Sequence, residues 1–62
     1  MYAPRILIVD DDEQIRRLFR RILEEVGYAV TTVSTGYRAL REIRSAGYEA
    51  MVVDLSPGYG GL

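Results

Sequence analysis

The chain has 62 residues, room for one small domain, and its net charge of −1 gives no overall electrostatic case for nucleic acid or an anionic membrane. It contains no cysteine and no histidine, which removes disulfides and the usual zinc patterns, and all eight cationic residues are arginine. No apolar stretch approaches a transmembrane length, and Met1 to Val9 is too short and wrongly flanked for a signal peptide, so a cytoplasmic protein is expected.

Pro4 stands just before the first predicted strand, Arg5 to Asp10, where it removes no ladder hydrogen bond. The apolar run Ile6-Leu7-Ile8-Val9, like the later run Ala50-Met51-Val52-Val53, suits a central parallel strand covered on both faces. Ile15, Leu18, Phe19, Ile22, Leu23 and Val26 then recur at gaps of three and four and predict a helix. Asp11 or Asp12 can cap its start, and Gly27 supplies its stop. Ala29 to Val33 is rich in β-branched residues and predicts a second strand. Ser34 or Thr35 then caps a second helix, with Tyr37, Leu40 and Ile43 expected on its inner face and Gly47 ending it. A third strand runs from Glu49 or Ala50 to Val53, and Ser56 to Leu62 is turn chemistry without a period. The layout is β-α-β-α-β with right-handed crossovers.

Two of these strands run straight into acids: Val9 into Asp10 and Asp11, and Val53 into Asp54. Parallel strands of an open α/β sheet end at the same edge, so these carboxylates can converge in one crevice. Carboxylates gathered there serve to bind a hard cation, or to supply a nucleophile that the cation helps to activate. Asp12 and Glu13 are explained by helix capping and the helix dipole, whereas an acid at a strand end, ahead of the cap, is not. Arg16, Arg17, Arg20 and Arg21 lie off the apolar stripe and read as a solvated face, paired at helical spacing with Glu13, Glu24 and Glu25. The five tyrosines are scattered and read as packing residues.

Taken together, these segments resemble the receiver domains of two-component response regulators. Ile6 to Glu13 is similar to the family's first strand and acid pair, and Val26-Gly27-Tyr28 to its helix exit. Thr35 to Leu40 is similar to the opening of its second helix, and Tyr48 to Leu55 to the strand that ends in the phosphoacceptor. The resemblance implies that Asp54 accepts a phosphoryl group and that Mg²⁺ is held by Asp10, Asp11, Asp54 and the main-chain carbonyl of Ser56. It also implies a histidine kinase or phosphotransfer protein as partner, and a signalling module rather than an enzyme.

The chain departs from the family in three respects. The family's fourth and fifth strands have no counterpart in these residues, and no lysine is present to pair with a phosphoryl group. The loop Asp54-Leu55-Ser56-Pro57 is one residue short, which sets Pro57 beside the Ser56 carbonyl, and Gly60 occupies an acidic slot. The fold expected for residues 1–62 is therefore half of a flavodoxin-like domain, a three-stranded parallel sheet in order 2-1-3 with its helices on opposite faces. Apolar burial in so short a chain barely offsets the entropy of ordering it. An oligomer, or the missing half of a larger domain, is the expected remedy. A homodimer paired through the bare edge of the third strand is expected, with helix-on-helix packing or exchange of the C-terminal segment as alternatives. Two functions follow: a receiver that takes phosphoryl groups at Asp54, or a receiver-derived dimerisation module that has lost phosphotransfer.

Overall fold

From Ile6 to Asp10 every side chain is buried, as a strand sandwiched between two layers requires. A computed structural model describes residues 2–54 of the chain. In order it contains β1 (Arg5–Asp10), α1 (Glu13–Val26), β2 (Ala29–Val33), α2 (Gly36–Ser45) and β3 (Ala50–Asp54). The strands form one parallel sheet in the order β2-β1-β3. The pleat divides β1 between two small cores. Ile6 and Ile8 join Val30, with Leu23 of α1 and Tyr28 packed against them. Leu7 and Val9 join Ala39 of α2, with Val33 and Tyr48 alongside. The helices thus cover opposite faces, as the alternation of a doubly wound unit demands. Pro4 contributes through its acceptor alone, its carbonyl taking the Ala29 N–H at 2.9 Å where β2 begins.

Local chemistry sets both ends of α1. Of the two candidate caps it is Asp12 that acts, its Oδ1 accepting from the N–H groups of Gln14 at 2.9 Å and Ile15 at 3.4 Å. At the other end Gly27 adopts a left-handed φ of 115°, which a side chain would strain. Its N–H reaches the Glu24 carbonyl while that of Tyr28 reaches Leu23, closing the helix as a Schellman motif. Leu23 and Tyr28 also pack against the same core cluster, the apolar contact that accompanies this stop. Asp12→Ala is expected to cost about 1 kcal/mol, read as a shift of the urea midpoint at unchanged slope.

Three expectations are corrected. The α2 residues Tyr37, Leu40 and Ile43 do not face inward; Leu40 is 58% exposed, and the buried residue is Ala39. Ala39 is the α2 residue that packs against Leu7 and Val9 of β1, so the larger row lies off the face turned to the sheet. Gly47 does not end α2 either. The helix stops at Ser45, capped by Ala46 in extended backbone whose N–H reaches the Glu42 carbonyl, so no left-handed residue is needed. Tyr48 then donates its hydroxyl to Glu42 Oε1 at 2.6 Å and ties the return segment to the helix. The third correction concerns the apolar stripe of α1. Ile15 and Leu23 are half-buried, but Leu18, Phe19, Ile22 and Val26 stay exposed. The cause lies in β3, which is exposed along its whole length and is not the doubly covered strand its apolar run suggested. Helix α1 rests on β1 and β2 only, so the part of its stripe that overhangs has nothing beneath it among the described residues.

Candidate functional site

Register brings the acids together. Asp10 is the parallel partner of Asp54 across β1 and β3, so the two side chains leave the same face at the carboxyl edge of adjacent strands. Asp10 is only 3% exposed, although it is the last residue of its strand. Its Oδ1 accepts the Asp12 N–H at 2.8 Å, so this strand-end acid does help to shape the entry of α1. Its Oδ2 is buried and has no hydrogen-bond partner among the described residues. A buried carboxylate oxygen left unpaired is costly and is commonly completed by a cation.

Asp54 is open to solvent, and its carboxyl titrates above the ordinary value of 3.8. The largest cause is hydrogen bonding with the Asp10 side chain, followed by the charge of Asp10, by desolvation and by the charge of Asp11. With both groups ionised the carboxylates only repel; a proton on Asp54 converts the contact into a hydrogen bond. Asp11 is exposed and belongs to the site through its charge. Ser56, Pro57 and Gly60 lie outside the described residues. Among the described residues no three acids form a ready-made metal cluster. The donor chemistry nevertheless fits a hard divalent cation, which takes oxygen ligands, because every acidic group here is a carboxylate and one buried oxygen lacks a partner.

Arg16 departs from the sequence reading, which placed it on a solvated face. It is half-buried, and its Nη1 donates to the main-chain carbonyl of Asp10 at 2.7 Å. The signal was present in the spacing. Side chains in a helix lean toward its N-terminus, and an arginine one turn beyond the cap is long enough to reach the end of the preceding strand. Arg20 behaves as expected, pairing with Glu24 at 3.3 Å on the open face of α1, where such pairs contribute a few tenths of a kcal/mol.

A parallel sheet in flavodoxin-like order, with carboxylates at the ends of β1 and β3, defines a doubly wound α/β protein whose polar crevice lies at the carboxyl edge. The chain belongs to the response regulator receiver domain family of two-component signalling, and the family model matches residues 6–62. It is 39% identical over 59 residues to the transcriptional regulatory protein ResD of Bacillus subtilis (strain 168), covering 94% of this chain and 25% of that protein. It is 37% identical over 60 residues to the sensor histidine kinase GacS of Pseudomonas protegens, covering 95% of this chain and 6% of the kinase. It is 38% identical over 58 residues to the transcriptional regulatory protein TcrA of Mycobacterium tuberculosis, covering 92% of this chain and 23% of the regulator. The chain therefore spans a quarter or less of these relatives. No solved structure matches it. These likenesses support a signalling receiver and lend nothing to a purely associative module. Among the described residues no helix is long and apolar enough to cross a membrane.

Proposed function

We propose that the chain is a receiver module of a two-component phosphorelay, in which Asp54 accepts a phosphoryl group from a histidine kinase or phosphotransfer protein. The observation that carries this reading is the pairing of Asp54 with the buried, half-satisfied Asp10 at one sheet edge. An oxygen of the Asp54 carboxylate attacks phosphorus, and a new O–P bond forms as the bond to the donor's leaving group breaks. The leaving group departs with the electron pair and takes a proton from solvent, and the product is an acyl phosphate. Asp54 suits the role because it is exposed at a strand end, where a donor can approach in line. Asp10, Asp11 and Asp54 would hold Mg²⁺, with the Ser56 carbonyl as a further ligand, and Mg²⁺ when bound offsets the negative charge that gathers on the transferring oxygens. Asp10 meanwhile keeps its position through its bonds to the turn that follows it.

The same reading includes association. The far edge of β3 pairs with no strand among the described residues, and its unpaired backbone groups form a template for a second copy. Antiparallel pairing of the two β3 edges about a two-fold axis would give one continuous sheet, with both α1 helices on the same face.

Incubation with a small-molecule phosphodonor and Mg²⁺, followed by intact mass, tests both parts. The expected result is a single acid-stable, base-labile phosphoryl adduct that chelation prevents, on a protein that sediments as a dimer. An unmodified mass after prolonged incubation, from a protein shown to be folded, would sink the phosphoacceptor. A monomer would sink the dimer alone.

A further inference from the structure

We infer that Arg16 is a positioning residue for Asp10, fixing the turn that presents the unpaired Oδ2 to a cation; this rests on the cation site proposed above. Arg16 grips the β1–α1 turn at two points. Its main-chain N–H donates to the Asp12 carbonyl at 3.0 Å, and its Nη1 donates to the Asp10 carbonyl at 2.7 Å. Between these points the Asp12 N–H holds Asp10 Oδ1 at 2.8 Å, and Asp12 is itself fixed by the first N–H groups of α1. The main-chain oxygen and one side-chain oxygen of Asp10 are thus both taken, and Oδ2 alone is left without a partner.

The choice of acceptor is informative. Arg16 begins the run of arginines beside four consecutive acids, yet it forms no ion pair among the described residues and spends its guanidinium on a neutral carbonyl. A charge-assisted bond of 2.7 Å to a strand-end carbonyl restrains backbone geometry, which a loose surface pair does not. Groups that orient a metal ligand from behind commonly matter to affinity nearly as much as the ligand itself.

Charge and position predict opposite signs. If Arg16 acted only as a nearby positive charge, removing it would relieve repulsion and tighten the binding of a divalent cation. If it positions Asp10, removing it weakens binding despite that relief. Arg17 is the natural control: it is adjacent, exposed and carries the same charge, and no hydrogen bond from its side chain is seen among the described residues.

The experiment compares the parent chain, Arg16→Ala and Arg17→Ala by calorimetric Mg²⁺ titration at fixed ionic strength. It also compares amide hydrogen exchange at Asp12 in the metal-free proteins, with Leu7 and Ile8 reporting that β1 is intact. Arg16→Ala is expected to bind Mg²⁺ about 10-fold more weakly or worse and to exchange faster at Asp12. Arg17→Ala is expected to match or slightly exceed the parent's affinity and to leave Asp12 unchanged. If Leu7 and Ile8 also lose protection in Arg16→Ala, then Arg16→Lys, which keeps the charge but not the planar fork, takes its place. Exchange at Asp12 equal to that of Arg17→Ala overturns the inference, as does equal Mg²⁺ affinity. A parent chain that binds no Mg²⁺ would refute the cation site, and the Asp12 amide would still decide the role of Arg16.

Discussion

Asp54→Asn is expected to abolish the phosphoryl adduct while raising the stability of the metal-free protein at neutral pH. The first effect follows from chemistry, because a neutral amide offers no anionic oxygen to attack phosphorus. The second follows from the raised carboxyl pKa, whose main causes are the neighbouring Asp10 and its charge. Below the ordinary value of 3.8 the carboxyl is protonated in folded and unfolded chains alike, and it costs the fold nothing. As pH rises from there through the raised folded value, the unfolded chain ionises first, and the folded chain must then ionise against the charges of Asp10 and Asp11. The penalty is complete above the folded value and constant at neutral pH. Thermal unfolding of the two proteins should therefore converge near pH 3 and diverge toward pH 7, with the Asn variant higher. Adding Mg²⁺ should narrow the gap by stabilising the parent selectively. Equal melting curves at pH 7 without metal would show that the carboxylates do not repel.

Leu7→Ala should leave most of the chain unfolded at room temperature. Leu7 is fully buried, one of two large side chains so enclosed, and its truncation removes about 2–5 kcal/mol through lost transfer energy and the cavity left behind. A single core of this size supplies no more than about 3–5 kcal/mol in total. Among the described residues Leu7 shares its cluster with Val9, Ala39 and the half-buried Val33 and Tyr48, a small set with little around it to absorb the loss. Val26→Ala provides the contrast. Val26 is exposed at the last turn of α1, and its loss should change stability by less than about 0.5 kcal/mol. Circular dichroism across a urea series would separate the two, and a cooperative, near-parental transition for Leu7→Ala would contradict the core assignment.

The features legible in the sequence were those decided by neighbours along the chain. Asp12 and Gly27 bound α1 through hydrogen bonds to residues within four positions, and β1 and β2 announce themselves through continuous apolar or β-branched runs. The convergence of Asp10 and Asp54 was legible for a topological reason, since parallel strands end at one edge. What sequence could not supply was orientation and cover. Tyr37, Leu40 and Ile43 share a helical face with the right period, but which face of α2 turns inward is set by its packing on the sheet, and there it is Ala39 that is buried. The run Ala50 to Val53 reads as interior because it is apolar, yet burial is set by what lies beside a strand. Arg16 was missed because a charge on a helix exterior is ordinarily solvated, and only its lean toward the strand end reveals the carbonyl it holds.

The central place of β1 carries a consequence for how the chain comes to be folded. Preceding both other strands in the chain, β1 comes to lie between them, and its contact with Glu49 at the Arg5 amide spans 44 positions. No neighbouring pair of strands can form a local hairpin, since each parallel pairing must wait for an intervening helix. Among the described residues the most apolar strand thus precedes both of its neighbours and is sheltered last. Nascent chains stalled before β3 would expose Ile6 to Val9 along an unfilled edge, a natural substrate for chaperones that capture apolar strands during synthesis.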